Sequence, residues 1–525
     1  MVRKQKVTAK NISLNTDIDY GKAALIGIAG LVLLILLYFS YIPGIWKIFL
    51  GIALMAVVGE LFVVVCRFNR MISGMTMLST KRGIDWIDGV SQRYGWLWIE
   101  LADWGLVTSF GVLSYFIFKR KIRLHTMVLG IATIAVFLFF VLPYLSLALN
   151  FINIPNVTSR IQIQANPTFG VDIGFNIQTL LYSVIMVVGF ASFILILLLY
   201  GAGLILYQIV FTLLSLLTPN PNYTQINQSV PGVAPVLPGI TIPFFAGLLS
   251  LGLLLAVHEL SHGVLARVFK VKLKSLGMIL FGIIPFGAFV EPDEKQVEKL
   301  GSMEQNRIFI AGIASNLVLC FIFFVLTYLM FTYVVPNIIT TSVSVQSTIP
   351  GSSASEFLQP GETILQWNGH PVHSIADFRT AAAGDTPYSN VSVTIANGTY
   401  VMKANATGKV GVSIQQQEVP MQGAGPAIDY FLYTFFALSF LLNFFVALVN
   451  LLPLPMFDGW RTFAVNIKNR RITFAFGALI IVAFFVNILP WAWILPLIGI
   501  PFVIISLLLV GMAIRWMWGW SNSKS

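Results

Sequence analysis

Long apolar segments alternate with short polar and basic stretches along most of this chain. Predominantly apolar segments of roughly twenty residues are typical of transmembrane helices, because that length crosses the hydrocarbon core of a bilayer. By this criterion the sequence predicts spans at 23–42, 45–66, 126–149, 240–270, 308–335, 430–452, 472–489 and 497–514. The pattern therefore predicts a mainly α-helical fold class, a polytopic transmembrane helical bundle.

Two further apolar segments are harder to interpret. Residues 96–118 contain Glu100 and Asp103 and precede a basic cluster, so the sequence leaves open whether they cross the membrane or form a re-entrant or interfacial helix. Residues 180–217 are too long for one crossing, and we predict two spans joined near Gly201. The number of spans in the N-terminal half is therefore not fixed by the hydrophobic pattern.

The composition supports a membrane protein. Of the 525 residues, 57% are hydrophobic and 10% are charged, which is not the profile of a soluble globular protein. The formal net charge of +11 could indicate nucleic-acid binding, but the basic residues cluster at the ends of predicted helices, as the positive-inside bias of cytoplasmic loops requires. We therefore expect the protein to have the lipid bilayer as a partner and to bind no nucleic acid.

Polar segments divide the chain into predicted domains. Basic residues after the helix at 240–270 and around Arg461 place those loops in the cytosol, and hence the polar segment between them outside it. The predicted boundaries are a basic cytosolic tail at 1–22, an N-terminal transmembrane region at 23–149, an extracytoplasmic loop at 150–178, transmembrane helices with a Pro-rich loop at 179–239, a membrane core at 240–340 and 427–471, an inserted domain at 341–422, and C-terminal transmembrane helices at 472–525.

The predicted helix at 240–270 carries the sequence His258-Glu259-Leu260-Ser261-His262. Residues four apart lie on one face of a helix, so both histidines can reach one metal ion, and Glu259 lies beside them where it can polarise a bound water. No Asp, Glu, Lys or Arg occurs between residues 173 and 257, and ionisable residues inside a membrane helix are costly and usually functional. We therefore predict a metal site on this helix.

A catalytic zinc site needs a third protein ligand. Asp458 is the candidate, because Pro453 and Pro455 interrupt the preceding helix, and irregular backbone at membrane depth is tolerated where it is buried or lines a watery cavity. The residues alone leave a second interpretation open, in which Asp458 and Gly459 form an ordinary turn at the membrane surface.

Together the two motifs resemble the site-2 protease family of intramembrane metalloproteases. The first signature of that family is matched by His258-Glu259-x-x-His262-Gly263 and the second by Asn450-x-x-Pro453-x-x-x-x-Asp458-Gly459. Phe457 stands where the family commonly has a leucine. Residues 287–292 and 307–316 are similar to the strand-and-loop element and to the second core helix of the family.

The resemblance implies a role for each matching residue. It implies that one zinc ion per chain is bound by His258, His262 and Asp458, and that Glu259 is the general base. It also implies that Asn316 and Asn450 contact the substrate or the developing oxyanion, although packing between membrane helices would equally account for both.

Residues 343–418 resemble a PDZ domain. The runs at 350–354, 358–364 and 367–372 follow its pattern, with Glu362 in place of the usual aspartate. Alternating apolar and polar positions, as at 391–395, favour strands. The fold class then becomes a helical bundle with an inserted small α/β PDZ-like domain, through which a peptide or an ectodomain would be contacted.

The function implied is regulated intramembrane proteolysis by a zinc-dependent endopeptidase that cuts transmembrane segments of membrane proteins. The active site would lie near the cytosolic side and the PDZ-like domain would be extracytoplasmic. A first alternative, a membrane-anchored zincin acting on substrates at the cytosolic face, would take a downstream glutamate as third ligand, among Glu291, Glu294, Glu298 and Glu304. A second, a non-catalytic metal-binding permease, would show symmetry-related broken helices, and the sequence has no such repeat.

Overall fold

The computed structural model describes residues 19–42, 44–118, 121–149, 177–217, 236–239, 241–421, 423–455, 457–467, 469–489, 508–509, 511–512 and 514–515. The predicted basic tail, most of the predicted extracytoplasmic loop at 150–178, the Pro-rich segment before residue 236 and most of the predicted final helix at 497–514 lie outside the described residues.

The helices follow the apolar segments closely. They are α1 (Tyr20–Phe39), α2 (Gly44–Val64), α3 (Ile84–Phe110), α4 (Ser114–Ile117), α5 (Leu124–Val136), α6 (Leu145–Leu149), α7 (Ile177–Val188), α8 (Phe190–Leu217), α9 (Phe244–Val268), α10 (Glu294–Val297), α11 (Ser302–Leu329), α12 (Val335–Ile338), α13 (Ser353–Phe357), α14 (Ile375–Ala382), α15 (Ala424–Asn450), α16 (Asp458–Asn466) and α17 (Arg470–Ile488). The strands are β1 (Asn69–Ile72), β2 (Met75–Thr80), β3 (Leu273–Phe281), β4 (Ile284–Pro292), β5 (Ile339–Thr348), β6 (Thr363–Trp367), β7 (His370–Pro371), β8 (Asn390–Ile395), β9 (Gly398–Lys403) and β10 (Val412–Pro420).

Within the part of the chain that the structure describes, seven helical segments are long and apolar enough to cross a membrane. They are Tyr20–Leu37, Leu124–Tyr144, Phe190–Val210, Phe244–Val268, Ser302–Ile338, Ala424–Asn450 and Arg471–Ile488. With the small β-rich region, they confirm the predicted fold class, a mainly helical membrane bundle with a small inserted β domain. The protein is an integral, multi-pass membrane protein.

The segment that the sequence left undecided, 96–118, is largely the second half of one 27-residue helix, α3, which begins at Ile84. Residues 102–109 of this helix are buried inside the protein. Its two carboxylates have partners in the fold: Glu100 accepts a hydrogen bond from Thr126 at 2.8 Å, and Asp103 pairs with Arg307. These charges are therefore satisfied by protein groups.

The predicted break near Gly201 was wrong. The apolar segment is interrupted at Gly189, between α7 and α8, and α8 runs unbroken through Gly201. Gly189 has φ +81°, and a Cβ atom there would lie closer than 3.0 Å to the backbone of Ser109 and Phe110. The chain therefore breaks where two backbones cross in close contact, which only glycine permits.

A four-stranded antiparallel sheet in the order β1-β2-β3-β4 joins the N-terminal region to the segment after α9. β3 and β4 form a hairpin, and β4 contains residues 287–292, which the family resemblance assigned to a strand-and-loop element. β2 pairs with β3 along the whole length of β2, from Met75↔Phe281 to Thr80↔Leu276. The turn between β1 and β2 docks against α2, where the Glu60 carboxylate accepts hydrogen bonds from the N–H of Gly74 and the hydroxyl of Ser73. The sheet therefore has β4 at one edge and the N-terminal hairpin at the other.

Two ion pairs connect α3 to the helices that carry the predicted site. Asp103 accepts from Nε and Nη2 of Arg307, at the start of α11, over 2.7 and 2.8 Å. Asp88 accepts from Nε and Nη2 of Arg267, near the end of α9. Such bidentate Arg–carboxylate pairs are geometrically specific as well as electrostatically favourable. They therefore fix the positions of α9 and α11 relative to α3.

The chain divides into two compact units, of which the smaller is residues 325–436. Its sheet has the order β10-β5-β6-β8-β9, with β7 pairing to β6. The apolar faces of these strands and of α13 and α14 enclose a core of aliphatic side chains around Trp367. α14 begins with a capping box between Ser374 and Asp377. The alternating pattern that predicted strands is thus a sheet with one buried face.

Candidate metal centre

Helix α9 positions the two histidines of the first motif. His258 and His262 are one turn apart, and their Nε2 atoms lie 3.3 Å from each other. The side chain of His258 is 8% exposed and that of His262 13% exposed. Four-residue spacing on a regular helix is sufficient to bring the two rings together.

Asp458 is brought to the histidines by an abrupt change of chain direction. Helix α15 ends at Asn450, the chain passes through a short irregular segment with Pro453, and Asp458 begins α16. A Cβ atom at Gly459 would lie closer than 3.0 Å to the carbonyl oxygen of Leu451. The glycine after the aspartate therefore allows the chain to fold back against the end of α15, which points the carboxylate at α9.

The three side chains converge on one point. Asp458 Oδ2 lies 3.1 Å from His258 Nε2 and 3.2 Å from His262 Nε2, so the three donor atoms form a nearly equilateral triangle. Zinc–ligand bonds of about 2.0–2.1 Å at tetrahedral angles require ligand atoms about 3.3 Å apart. The donor set and its spacing thus fit a zinc ion. Among the residues that the structure describes, these three form the group of His, Cys, Asp or Glu side chains that could hold a metal ion.

The orientation of His262 is set from the opposite side of its ring. Its Nδ1 lies 2.7 Å from the carbonyl oxygen of Ile308, on α11. A carbonyl oxygen only accepts, so Nδ1 carries the proton and donates it. Hydrogen bonds of this kind hold the ring of a metal-binding histidine in place.

Helix α11 also contacts His258, at two positions one turn apart. A Cβ atom at Gly312 would lie closer than 3.0 Å to the His258 ring, so only glycine leaves room for it. Asn316, which is completely buried, places its amide nitrogen 3.2 Å from His258 Nδ1. The substrate or oxyanion contact that the family resemblance implied for Asn316 stays a prediction; the structure places its amide behind a histidine, on the ring nitrogen opposite Asp458.

Glu259 is half-buried and points to the sheet. Its Oε2 accepts a hydrogen bond from the N–H of Val290, on β4, at 3.2 Å. A Cβ at Gly263, one turn further along α9, would lie closer than 3.0 Å to the side chain of Val290. Glycine at this position therefore lets the edge strand lie directly against α9 beside the three converging side chains.

Asn450 is the last residue of α15 and is half-buried. It lies at the point where the chain leaves the helix toward Asp458. Its predicted contact with substrate stays a prediction.

Two elements of the site were not identified from the sequence. The carbonyl of Ile308 carries no side-chain signal, and Asp103 was noted only as an unexplained charge in an apolar segment. Charge complementarity could have identified the partner of Asp103, since Arg307 also lies at the start of an apolar helix and a buried charge needs a partner.

Two histidines and an aspartate that converge beside a glutamate, inside a bundle of membrane helices, are the parts of a metallopeptidase site. Residues 246–490 match the model of peptidase family M50. Over this segment, just under half of its length, the chain is thus similar to peptidase family M50, and a weaker match to a site-2 protease homolog supports the same family. The resemblance that the motifs indicated is confirmed.

Two relatives extend this comparison. An uncharacterized protein of Methanocaldococcus jannaschii is 30% identical over 256 residues, which are 47% of this chain and 65% of that protein. A membrane-bound transcription factor site-2 protease homolog of Arabidopsis thaliana is 29% identical over 140 residues, 26% of each chain. The chain therefore spans just under two thirds of the first relative and about a quarter of the second.

Proposed function

We propose that this protein is a zinc-dependent endopeptidase that hydrolyses peptide bonds within transmembrane segments of other membrane proteins. One observation carries the proposal: His258 Nε2, His262 Nε2 and Asp458 Oδ2 form a triangle with edges of 3.1–3.3 Å, next to Glu259 on a membrane helix. The match of residues 246–490 to peptidase family M50 supports it.

The chemistry of the proposed reaction divides between the ion and the protein. A zinc ion held by His258, His262 and Asp458 would lower the pKa of water and polarise the scissile carbonyl. Glu259 is the residue of this chain that would accept the proton of the water and pass it to the leaving amine. The N–H of Val290 holds Glu259 Oε2 at 3.2 Å, which leaves the other carboxylate oxygen for the proton.

The substrate would be held as an extended segment. A transmembrane helix hides its peptide bonds in its own hydrogen-bond ladder, so it must unwind locally before it can be cut. β4 is the edge strand of its sheet and contacts Glu259. Addition of the unwound segment to this edge would satisfy its backbone groups and bring it to the general base. We assign Asn450 to substrate contact on the family resemblance alone.

The placement in the membrane is also part of the proposal. The histidines lie in the second half of α9, which has Arg267 in its last turn and is followed by Lys270, Lys272 and Lys274. Basic residues favour the cytosolic side, so cleavage would occur near that face and release a domain inward, as regulated intramembrane proteolysis requires. The inserted domain would then be extracytoplasmic, and we assign it a PDZ-like role in contacting a peptide or an ectodomain of the substrate.

The geometry does not favour the zincin alternative. Among the described residues, the metal-binding group that contains the two histidines includes Asp458 and none of the four glutamates after the motif. Glu291 instead accepts a hydrogen bond from Ser275 at 2.9 Å and pairs with Lys274 at 3.4 Å.

The experiment that tests the proposal is cleavage of a single-pass membrane substrate by purified full-length protein in detergent, with bound zinc quantified in the same samples. We expect the wild type to cut within the membrane segment, Glu259→Gln to retain zinc without cutting, and Asp458→Asn to lose both. Absence of zinc from the wild type, or cleavage by Glu259→Gln at the wild-type rate, would overturn the proposal.

A further inference from the structure

The side chain of Asn316 is unusual among the buried polar groups around the site. It is completely buried, its amide nitrogen lies 3.2 Å from His258 Nδ1, and its carbonyl oxygen has no hydrogen-bond partner. An unpartnered buried polar atom costs about 1–3 kcal/mol. Asn443 has the same unpartnered oxygen, so what distinguishes Asn316 is its contact with the His258 ring.

The two ring nitrogens of His258 are linked, because a neutral imidazole has one N–H and one lone pair. If Nε2 carries the proton, it donates to Asp458 Oδ2 at 3.1 Å, and Nδ1 accepts from the Asn316 amide. If Nε2 binds a metal, the proton must be on Nδ1, and that N–H then faces the N–H groups of Asn316. Two donors that face each other repel.

A rotation of the Asn316 amide by 180° removes the conflict, because it exchanges oxygen and nitrogen with almost no change in shape. The otherwise unpartnered oxygen then accepts the Nδ1 proton. Gly312, one turn earlier on α11, restricts the ring on that side, since even a Cβ there would lie closer than 3.0 Å to the imidazole. A rotated amide satisfies the changed tautomer of His258 without a shift of the ring.

We infer that Asn316 is a positioning residue whose side-chain oxygen accepts a hydrogen bond from His258 Nδ1–H and so presents the Nε2 lone pair to the metal. The inference rests on the proposed function, in which His258 is a zinc ligand. It gives Asn316 the position that a carboxylate or backbone carbonyl takes behind other metal-binding histidines, which the Ile308 carbonyl takes behind His262.

Two substitutions distinguish an acceptor from a donor at this position. Asn316→Asp keeps an oxygen that can accept from Nδ1–H but cannot donate, and Asn316→Leu keeps the approximate shape with neither. We expect the zinc dissociation constant of the full-length protein, measured by competition with a chromogenic chelator, to stay within about threefold of wild type in Asn316→Asp. In Asn316→Leu it should rise about 10–100-fold.

Asn443 provides a matched control. It is also completely buried in a membrane helix with an unpartnered amide oxygen, and its amide donates to the Ser439 carbonyl and not to a histidine. Asn443→Leu should leave zinc affinity unchanged. Thermal unfolding of all variants in excess chelator separates loss of folding from loss of metal, and the absorption spectrum of the cobalt-substituted protein should be the same in Asn316→Asp and wild type.

The inference and the proposed function fail differently. If Asn316→Asp loses zinc as severely as Asn316→Leu, or if Asn316→Leu binds zinc like wild type, Asn316 does not act as the acceptor, even when Asp458→Asn abolishes binding. If Asp458→Asn binds zinc like wild type, the metal site itself is wrong.

Discussion

Two groups of ionisable side chains are buried to a similar degree in the larger unit, and their charges are balanced in different ways. Asp103 and Arg307 are 4% and 16% exposed, and each is the partner of the other in a two-pronged ion pair. His258, His262 and Asp458 are 8–15% exposed, and three electron-donating atoms face one another. The first group is complete within the chain, whereas the second, in the function proposed above, would be completed by a cation.

Whether a buried charged group is balanced within the protein distinguishes a structural ion pair from a ligand-binding site more clearly than its degree of burial does. A buried pair that neutralises itself fixes α3 against α11 and needs nothing from outside. A buried group with surplus donors is costly unless a ligand compensates it, and such a group is retained where the ligand is useful. Substitutions at these groups should therefore have effects of different size. The loss of a buried counterion should have the largest effect, and the loss of a few hydrogen bonds the smallest.

The largest effect on stability should follow from breaking the complete pair. Asp103→Asn leaves the Arg307 charge buried without a counterion, which should reduce the free energy of unfolding by about 3–5 kcal/mol. Replacing both residues, as Asp103→Leu with Arg307→Met, should be close to neutral, because no uncompensated charge remains. Unfolding in detergent, followed by circular dichroism, measures both; a single variant as stable as the double variant would contradict the assignment.

Removal of zinc from His258, His262 and Asp458 should destabilise the folded protein. At free zinc about 100-fold above its dissociation constant, binding to the folded state contributes about 2.7 kcal/mol. A chelator should therefore lower the unfolding temperature of the wild type and leave that of Asp458→Asn unchanged. The Asp103→Leu with Arg307→Met variant should respond to the chelator like the wild type; an equal response of Asp458→Asn would show that zinc stabilises the protein from some other site.

A smaller effect is expected when the donors are kept and their geometry is changed. Gly312→Ala places a Cβ closer than 3.0 Å to the His258 ring, and overpacking of this kind costs about 1–3 kcal/mol. We expect zinc affinity to fall about tenfold, which corresponds to about 1.4 kcal/mol. Gly252→Ala is the control, since a Cβ there meets nothing within 4 Å, and zinc titration of the two variants should separate them.

The smallest effect should come from a carboxylate that is stabilised mainly by hydrogen bonds. In the inserted domain, the N–H of His373, followed by the Ser374 side chain, holds the pKa of Asp377 below its usual range. Because the folded pKa is the lower one, the stabilisation is present above the unfolded value of about 3.9 and is lost as pH falls through the folded value. Hydrogen exchange at residues 374–378, corrected for intrinsic rates, should show protection that falls below about pH 4 in wild type, with little pH dependence in Asp377→Asn.

Much of the architecture could be predicted from the sequence because its signals are local. Apolar length predicts membrane helices, four-residue spacing places His258 and His262 on one face, and Pro453 indicates that the helix ends before Asp458. Alternation of apolar and polar residues predicted strands in the inserted domain.

The remaining features depend on contacts between distant segments. Gly189 and Gly201 look alike in an apolar run, and only the crossing with the end of α3 makes the first a break. The hairpin of β1 and β2 was not predicted, since its pairing partner β3 lies some two hundred residues later. The position of Asn316 could not be read from a motif, because which ring nitrogen it meets depends on how α11 packs against α9.

The helix α3 and the β1–β2 hairpin have a consequence for any attempt to isolate the catalytic segment. Both lie before residue 246, where the family match begins. A truncated protein that began there would leave Arg267 and Arg307 without Asp88 and Asp103, and would expose six residues of β3 that β2 normally covers. Unpaired, partly buried cations and an uncovered strand edge favour misfolding and aggregation. The segment that carries the two motifs is therefore not expected to fold by itself, and the smallest fragment that folds should include α3 and the β1–β2 hairpin.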